Sequence, residues 1–497
     1  MGYYIKKRNI FMLVNSYKLQ ISHKMEALNM KNKIFVVYGA VFILMATSFP
    51  LAVNASSIDM ENKKYFELKD LSIHSPKAKW TVMMYIACDT ALRYRLINFY
   101  QEVLRDVGST DDFKIIALFD GKERGDTFYC YAEEGLLIPL PWYEEESNMA
   151  SPENFERFLR LSMHYFPAEH YALFTLSDYG SGWQGVFSDT DGTGSTKTLS
   201  LITMPEVRQV LKNITENGNN KIDVWGIDVC IPGMVEVAYE ISPYVKYMVA
   251  NEEHGFEGDS GEEGYELGWN YSFFLQELKN NPDMSPEEFS TLIVDCYKAG
   301  TFIPKILLII PAPQWYPITK FYTTLSAVNL SKINLIRVTL NTLASNLINN
   351  LNEVKYDIKK ARQNTREYGK RYKKFWWIPF FLLYFHIEPL AYDGFVDLYD
   401  FADKLRYQTD NAEIKDSCID LMDAVNETII ANEALSTDPS YGLSIYFPEL
   451  KCQYDQSLWR GGGNPEFNKI PSSYSDLYLS QDGLWDDFLE AYLGISR

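Results

Sequence analysis

Residues 221–240 read KIDVWGIDVCIPGMVEVAYE, and this stretch decides the predicted fold. Its first half is a short apolar run rich in Ile and Val, which is typical of a buried parallel strand. Its second half opens with Pro232, and proline is favoured in the first turn of a helix. We therefore place Cys230 at the carboxyl end of a strand, facing a helix amino terminus, where open α/β sheets hold ligands and nucleophiles. The helix dipole would favour a thiolate there, although an inert cysteine at a strand end fits the stretch as well.

Strand-like and helix-like segments alternate on both sides of this stretch. The predicted strands cover residues 80–87, 113–119, 171–176 and 224–229. A predicted helix covers 92–107, and another starts at Ser151-Pro152 and stops before Pro167. This order predicts an α/β fold, with a mostly parallel sheet and helices on both faces.

The composition restricts the classes of partner. The chain has 497 residues, with 66 Asp and Glu against 47 Lys and Arg. An acidic balance argues against nucleic acid as a partner and is compatible with basic ligands. The six cysteines are widely spaced, which predicts neither a small disulfide framework nor a zinc site. A bridge between Cys418 and Cys452 is compatible with this spacing.

Residues 30–55 have the pattern of a secretory signal peptide. Lys31 and Lys33 form a basic start, and residues 34–46 form an apolar run that is short for a membrane span. Small residues precede the predicted cleavage point after Ala55. We therefore expect a secreted or extracellular protein, with an uncleaved membrane anchor as the alternative.

A series of short motifs runs in order from residue 79 to residue 495. They are KWTVMMY (79–85), NM (148–149), FPAEHYAL (166–173), GIDVC (226–230), YMVANEE (247–253), VDLYDF (396–401), YGLSIYFP (441–448) and WDDFL (485–489). Together these motifs resemble the clostripain family of cysteine peptidases. The resemblance implies a caspase-like α/β fold with a C-terminal extension, and cleavage of peptides after Arg or Lys.

The resemblance also divides the chain into segments. These are an upstream extension (1–29), the signal peptide (30–55), a linker (56–78), the peptidase domain (79–355), a basic and aromatic insertion (356–392) and the C-terminal part of the family region (393–497).

Site roles follow from the same resemblance. Cys230 would be the nucleophile, and Asp228 would line the pocket that pairs with a basic side chain of the substrate. The amides of Gly180 and Cys230 would form the oxyanion hole. Lys197 is the only basic residue of the loop 187–200 and would be a point of self-processing.

The loop after the third strand departs from the family at one position. The family carries its catalytic His there, typically within Asp-His-Gly, whereas this chain has Asp178-Tyr179-Gly180. A phenol, with an ordinary pKa near 10, is a poor base at pH 7 and provides no imidazolium to protonate the leaving amine. Loss of a positioned acid-base group costs about 10²- to 10⁴-fold in rate. We therefore expect proteolysis by the standard dyad to be impaired or absent.

Other histidines are candidate replacements for the missing base. His164 lies on the preceding helix and is expected to be partly exposed, and His386 lies in a region that the family match does not cover. His170 begins the strand that leads to Tyr179, which puts it about 30 Å away at roughly 3.3 Å per residue. His254 follows the next strand and could lie at the functional edge as a substitute base. The chain is accordingly either an active peptidase with an unusual base, or a pseudopeptidase that binds basic peptides or a protein partner.

A basic run is followed by an aromatic run late in the chain. Residues 359–374 contain eight Lys or Arg and one Glu, and Phe375, Trp376 and Trp377 come next. The apolar run is too short to span a bilayer. It could contact a membrane surface or a partner, or be an inserted loop whose apolar half packs on the body of the protein.

Acidic residues form two clusters. They are Glu252, Glu253, Glu257, Asp259, Glu262 and Glu263, and separately Asp189 and Asp191. Several oxygens would suit calcium, and the resembling family includes calcium-dependent members. Neither cluster has the spacing of a calcium loop, so a solvated acidic loop is the preferred interpretation, and no metal or cofactor is predicted.

Overall fold

Long apolar runs form the strands at the centre of the fold. Strand β1, Ala78–Ala87, is buried at nine of its ten positions, because both sides of the strand are covered by other elements. The structure, a computed structural model, describes residues 77–89, 97–121, 124–142, 145–177, 180, 182–189, 200–253, 268–299, 301–302, 321–369, 394–454 and 473–495. All of them belong to one compact unit, Lys64–Arg497.

Sixteen strands are described. They are β1 (Ala78–Ala87), β2 (Phe113–Asp120), β3 (Phe128–Glu133), β4 (Leu136–Pro139), β5 (Ala168–Leu176), β6 (Gly185–Asp189), β7 (Ser200–Thr203), β8 (Ile222–Asp228), β9 (Val245–Ala250), β10 (Thr301–Phe302), β11 (Phe321–Tyr322), β12 (Leu325–Asn329), β13 (Glu367–Tyr368), β14 (Phe395–Asp397), β15 (Ile429–Glu433) and β16 (Ser444–Tyr446).

Twelve α-helices are described with them. They are α1 (Ile97–Val107), α2 (Pro152–Tyr165), α3 (Met204–Ile214), α4 (Val235–Ile241), α5 (Tyr271–Asn280), α6 (Pro286–Asp295), α7 (Ile333–Asn349), α8 (Leu351–Asn364), α9 (Leu398–Gln408), α10 (Ala412–Thr428), α11 (Tyr478–Gln481) and α12 (Trp485–Leu493).

The central sheet has nine strands in the order β15-β12-β9-β8-β5-β1-β2-β3-β4. Strands β9, β8, β5, β1 and β2 pair in parallel. At the two ends, β12 and β3 run in the opposite direction, and β15 and β4 reverse again. Since only β3 and β12 are reversed in this described sheet, the prediction of a mostly parallel sheet is confirmed.

Helices cover both faces of the sheet, as predicted. Side chains alternate along β1, so that Met83 and Tyr85 join one hydrophobic core and Val82 and Met84 join the other. Helices α1, α5 and α6 pack on the second core. Helices α2 to α4 and the C-terminal helices pack on the first.

The helix after the nucleophile segment begins later than the sequence predicts. Helix α4 starts at Val235 rather than at Pro232. The backbone N–H of Ile231 donates to the carbonyl of Glu253 at 3.2 Å, and that of Gly233 donates to Asn251 at 2.9 Å. These bonds tie the segment to the chain that follows β9, so it cannot form a helical turn there.

The sequence does not predict the two strands that lie between β2 and α2. The hairpin β3–β4 extends the sheet beyond β2 by antiparallel pairing.

The start of α2 agrees with the prediction, since Ser151 caps it through a bond from the Asn154 N–H and Pro152 is its first residue. The first predicted helix is described only from Ile97, as α1.

The basic run at 359–374 is not one surface segment. Its first part lies in α8, and Arg362 is buried there, with its guanidinium 2.8 Å from the carboxylate of Glu367. Strands β13, β14 and β16 then form a small antiparallel sheet. Phe375, Trp376 and Trp377 lie outside the described residues, so a membrane or partner contact there stays a prediction.

Five cysteines, Cys88, Cys130, Cys230, Cys296 and Cys418, form no disulfide. Cys418 is buried and in no disulfide, so the bridge to Cys452 that the spacing allowed is absent. Burial raises the pKa of the Cys418 thiol to about 12. Among the described residues, no helix is long and apolar enough to cross a membrane. The predicted signal peptide lies outside them.

Candidate functional site

The carboxyl ends of three parallel strands meet at one edge of the sheet. Ile227 of β8 pairs with Thr175 of β5 on one side and with Ala250 of β9 on the other. Beyond the strands, the Ser177 N–H donates to the carbonyl of Asp228 at 3.3 Å. This register brings the loop after β5 beside the segment that carries Cys230, as the rule for open α/β sheets predicts.

Gly180 lies directly against the backbone of Cys230. A Cβ atom at position 180 would stand 2.2 Å from the carbonyl oxygen of Cys230 and 3.0 Å from its nitrogen. Only glycine permits so close an approach of two backbones. The structure therefore brings together two of the predicted site residues, and Cys230 is half-buried at their junction.

The residue after Cys230 has an unusual backbone conformation. Ile231 is buried and has a φ of +60°, in the left-handed region. A β-branched residue is rarely found there, because its side chain crowds the backbone. Such strain costs on the order of 1–3 kcal/mol and persists only where neighbouring structure enforces it. The strained backbone thus lies directly after Cys230.

Asp228 is enclosed by tyrosines. Its side chain is 1% exposed, and the Tyr271 hydroxyl donates to its Oδ2 at 2.9 Å. Trp269 stacks on the Tyr271 ring at 5.9 Å, which fixes the ring in place. Burial raises the pKa of Tyr297, and the charge of Asp228 adds to this increase. The predicted specificity carboxylate is therefore present at the site but closed off from solvent.

Two acidic residues behind Cys230 do not belong to a solvated loop. Glu252 and Glu253 are both buried, so that interpretation is wrong for this pair. Glu252 accepts a bond from the Gly442 N–H at 3.0 Å. Burial, followed by the neighbouring Asp397, raises the pKa of Glu252 well above its ordinary value. Burial likewise raises the pKa of Asp397 to about 7.

A short hairpin holds both ends of the loop that contains Lys197. Asp189, at the end of β6, pairs with Ser200, at the start of β7. The Ser188 N–H also donates to the Ser177 hydroxyl at 3.3 Å, which joins the hairpin to the end of β5. The loop therefore leaves from the same edge as Cys230, while Lys197 itself lies outside the described residues.

Two other predicted site residues, Tyr179 and His254, also lie outside the described residues. His170, near the start of β5, and His164, on α2, lie away from the strand ends that carry Cys230. His170 stacks on Trp80 near the start of β5, with its Nδ1 3.3 Å from an oxygen of Asp223. His164 is exposed on α2.

No metal centre is found in the described part of the chain. No three His, Cys, Asp or Glu side chains gather there in an arrangement that could hold an ion. Asp189 of the second acidic cluster is buried and accepts a hydrogen bond from the Met149 N–H. Separately, a thiol beside backbone amides is an arrangement that can support covalent catalysis.

Sequence reasoning missed the partners of the predicted residues. Tyr271 follows an undescribed segment and carries no motif, so nothing marked it as the partner of Asp228. Arg366 stands within a run of basic residues that the sequence leaves open between a membrane or partner contact and an inserted loop, yet its guanidinium lies 3.3 Å from Glu253. An isolated Glu within a Lys- and Arg-rich run, here Glu367, was the available signal that the run contains buried ion pairs.

Comparisons with known proteins agree with this geometry. The model of the clostripain family, Peptidase_C11, matches residues 84–492. The chain is 22% identical over 476 residues to clostripain of Hathewaya histolytica, covering 83% of this chain and 84% of that protein.

Two solved structures are similar to the chain. One is an inactive zymogen of a C11 protease from Parabacteroides distasonis, with a TM-score of 0.51 at 16% identity, covering 82% of this chain and 98% of that one. Another is a secreted C11 cysteine protease from Bacteroides thetaiotaomicron in complex with an irreversible peptide inhibitor, with a TM-score of 0.49 at 13% identity, covering 75% and 93%. The first likeness supports the caspase-like α/β fold.

Proposed function

Because the chain belongs to the clostripain family of cysteine peptidases, we propose that it is a secreted member that keeps the nucleophile and the basic-residue pocket but has lost efficient proteolysis. In this proposal Cys230 is the nucleophile and Asp228 binds an Arg or Lys side chain. Tyr179 occupies the position of the family's general base. The protein then binds basic peptides, or a basic segment of a partner, without cutting them efficiently.

The observation that carries this proposal is the contact between Gly180 and Cys230. The family's catalytic histidine precedes this glycine in the motif, and Gly180 lies within van der Waals reach of the Cys230 backbone. In this proposal the residue at position 179, which directly precedes Gly180 in the sequence, is the one that would act on the Cys230 sulfur. This chain has Tyr179 instead.

The consequence for chemistry differs between two steps of acylation, which are the attack on the carbonyl carbon and the loss of the amine. A Cys230 thiolate can add to a carbonyl carbon, and the amides of Gly180 and Cys230 can donate to the developing oxyanion, each worth roughly 3 kcal/mol in sites of this kind. The tetrahedral adduct must then expel an amine, which requires a proton from a nearby acid. A tyrosine hydroxyl is a weaker acid than imidazolium by several pKa units. Amide cleavage is therefore the step that we expect to fail.

The buried carboxylate supports a pocket for a basic side chain. Asp228 ends the strand two residues before Cys230, which suits a subsite next to the scissile bond. The residue is 1% exposed in this structure, so the proposal requires the site to open for a substrate. A substrate ammonium or guanidinium would then pair with the carboxylate, whose Oδ2 accepts a bond from the Tyr271 hydroxyl.

Hydrolysis of fluorogenic Arg and Lys peptide amides tests the proposal. The protein from residue 56 onward is compared with Tyr179→His, Tyr179→Phe and Cys230→Ala. We expect no cleavage by the native protein and at least a 100-fold gain in Tyr179→His, since a positioned base contributes about 10²- to 10⁴-fold. Tyr179→Phe is the matched control, because it changes the same side chain without adding an imidazole.

Efficient cleavage by the native protein that disappears in Cys230→Ala would contradict the proposal. The chain would then be an active peptidase with another base, and His254→Ala would identify whether His254 has that role. Cleavage that persists in Cys230→Ala would instead exclude Cys230 as the nucleophile.

A further inference from the structure

The turn that follows Cys230 is held by the segment after β9. Ile231 donates its N–H to Glu253, and Gly233 donates to Asn251 at 2.9 Å. The two segments are in close contact, because a Cβ atom on Gly233 would lie 2.8 Å from the carbonyl carbon of Asn251. The strained backbone of Ile231 therefore depends on the position of the Glu253 carbonyl.

The side chain of Glu253 is fixed in turn by the small C-terminal sheet. Its Oε1 accepts a bond from the Gly369 N–H at 2.9 Å, and its Oε2 lies 3.3 Å from the guanidinium of Arg366. The carboxylate is 4% exposed, so these are interactions in a largely dry environment. Loss of the partner of a buried charge commonly costs 3–5 kcal/mol.

Arg366 is itself held on three sides. Its Nε donates to Asp438 at 2.6 Å, and its Nη1 donates to the carbonyl of Glu367 at 2.8 Å. The guanidinium stacks 4.6 Å from the centre of the Tyr368 ring. A planar guanidinium that makes several bonds at once is a rigid connector, which a lysine cannot fully replace.

We propose that Glu253 and Arg366 are positioning residues for Cys230, and that the ion pair between them, at the start of β13, sets the conformation of the nucleophile turn. The small sheet also touches this turn directly, since the Ser444 N–H donates to the carbonyl of Gly233 at 2.8 Å. The inference rests on the proposed function only in naming Cys230 as the nucleophile. It makes a separate claim about what holds that residue.

Amide hydrogen exchange measures this claim without any need for catalysis. Arg366→Gln is expected to speed exchange at least fivefold in the peptide that covers residues 229–234. The Glu253 side chain loses its ion pair in this variant, so its backbone carbonyl holds the Ile231 N–H less firmly. Arg362→Gln is the matched control. Arg362 is more deeply buried than Arg366, with 2% of its side chain exposed against 16%, and its bonds run to Phe447 and Glu367 rather than to the segment after β9. In this variant, exchange over 229–234 should remain unchanged.

Alkylation of Cys230 by iodoacetamide provides a readout that general destabilisation would not reproduce. Labelling is followed peptide by peptide, with the half-buried Cys296 as the internal reference. In Arg366→Gln we expect Cys230 to react at least threefold faster, because a loosened turn exposes its sulfur more often. Cys296 should be unaffected, and Arg366→Lys should restore part of the native profile.

Equal effects of the two arginine variants on residues 229–234, or no effect of either, would overturn the proposal. If Arg366→Gln fails to fold, Glu253→Gln and Arg366→Lys carry the same test, because both keep hydrogen-bonding groups in place. Failure of the peptide hydrolysis prediction leaves these measurements untouched, so the two proposals can fail separately.

Discussion

The backbone of Cys230 leaves no room for a side chain at position 180. Gly180 is thus a residue whose identity is dictated by the site, whereas Ile231, on the other side of the cysteine, has a left-handed backbone that its β-branched side chain disfavours. Tyr179 stands next to this crowded junction in the sequence. At the scale of single residues, the proposed function combines an intact thiol and backbone with an altered general base.

Gly180→Ala should disrupt this junction. The added methyl group would lie 2.2 Å from the carbonyl oxygen of Cys230, which is a collision with backbone that no rotamer relieves. We expect a loss of about 1–3 kcal/mol in the free energy of unfolding, measured with denaturant.

Gly135→Ala is the control for that experiment. Its backbone is left-handed, with a φ of +78°, but nothing lies within 4 Å of the added methyl group. It reports the cost of backbone strain alone, about 1 kcal/mol. A Gly180→Ala variant as stable as the native protein would show that contact with Cys230 does not constrain position 180.

Tyr271→Phe tests the environment of Asp228. Removing the hydroxyl leaves a carboxylate oxygen in a buried site with one donor fewer, and we expect a cost of about 1–3 kcal/mol in the free energy of unfolding. Tyr247→Phe is the matched control, since its hydroxyl bonds the exposed Glu287 and its loss should cost less than about 1 kcal/mol. A smaller effect for Tyr271→Phe than for Tyr247→Phe would contradict the burial of the Asp228 pocket.

At the scale of elements, the site is the meeting of three strand ends with two later segments. Strands β5 and β8 position Gly180 and Cys230, and the chain after β9 supports the turn between them and α4. The small sheet β13–β14–β16 completes this support from the C-terminal part of the chain. The prediction at this scale is that substituting Arg366, the residue before β13, speeds amide exchange in the turn beside Cys230.

The strands of the central sheet and the edge that carries the site could be predicted from the sequence. Apolar runs such as that of β1 are long enough to identify buried strands, and parallel strand ends must share an edge. The partner of Glu253 could not be predicted, because Arg366 is 113 residues away and lies among other basic residues. A charged side chain looks solvated in a sequence until its partner is known. The bonds that delay the start of α4 are likewise tertiary, and local propensity does not contain them.

At the scale of the whole molecule, an acidic chain contains several buried carboxyl groups. The net charge is −19. Burial raises the pKa of Asp120 to about 9, and that of Glu236, Glu240 and Asp397 to about 7. These groups therefore hold protons in the folded state at pH values where they are ionised in the unfolded chain.

Stability should consequently fall as the pH rises. A carboxyl whose folded pKa is raised contributes its full stabilisation below the unfolded pKa, near 4, and loses it as the pH rises through the folded value, about 7 for Glu236. Each such group accounts for about 1.4 kcal/mol per pH unit within that window. We expect a higher Tm at pH 5.5 than at pH 8, measured by calorimetry.

Glu236→Gln should flatten this dependence, because the Tyr446 N–H and the Tyr474 hydroxyl can still donate to an amide oxygen. Glu153→Gln, at the exposed start of α2, is the control and should leave the profile unchanged in shape. A Tm that rises between pH 5.5 and pH 8 would be incompatible with these buried, protonated carboxyl groups.

The central claim is that the nucleophile and pocket remain while the acid-base group is missing, and a comparison of ester with amide substrates tests it most directly. A p-nitrophenyl ester of a blocked lysine has a leaving group that needs no proton, so Cys230 can be acylated without a general acid. We predict a burst of p-nitrophenol from the native protein, absent in Cys230→Ala, with no detectable cleavage of the matching amide. Amide hydrolysis by the native protein at a rate comparable with that of Tyr179→His would contradict the account.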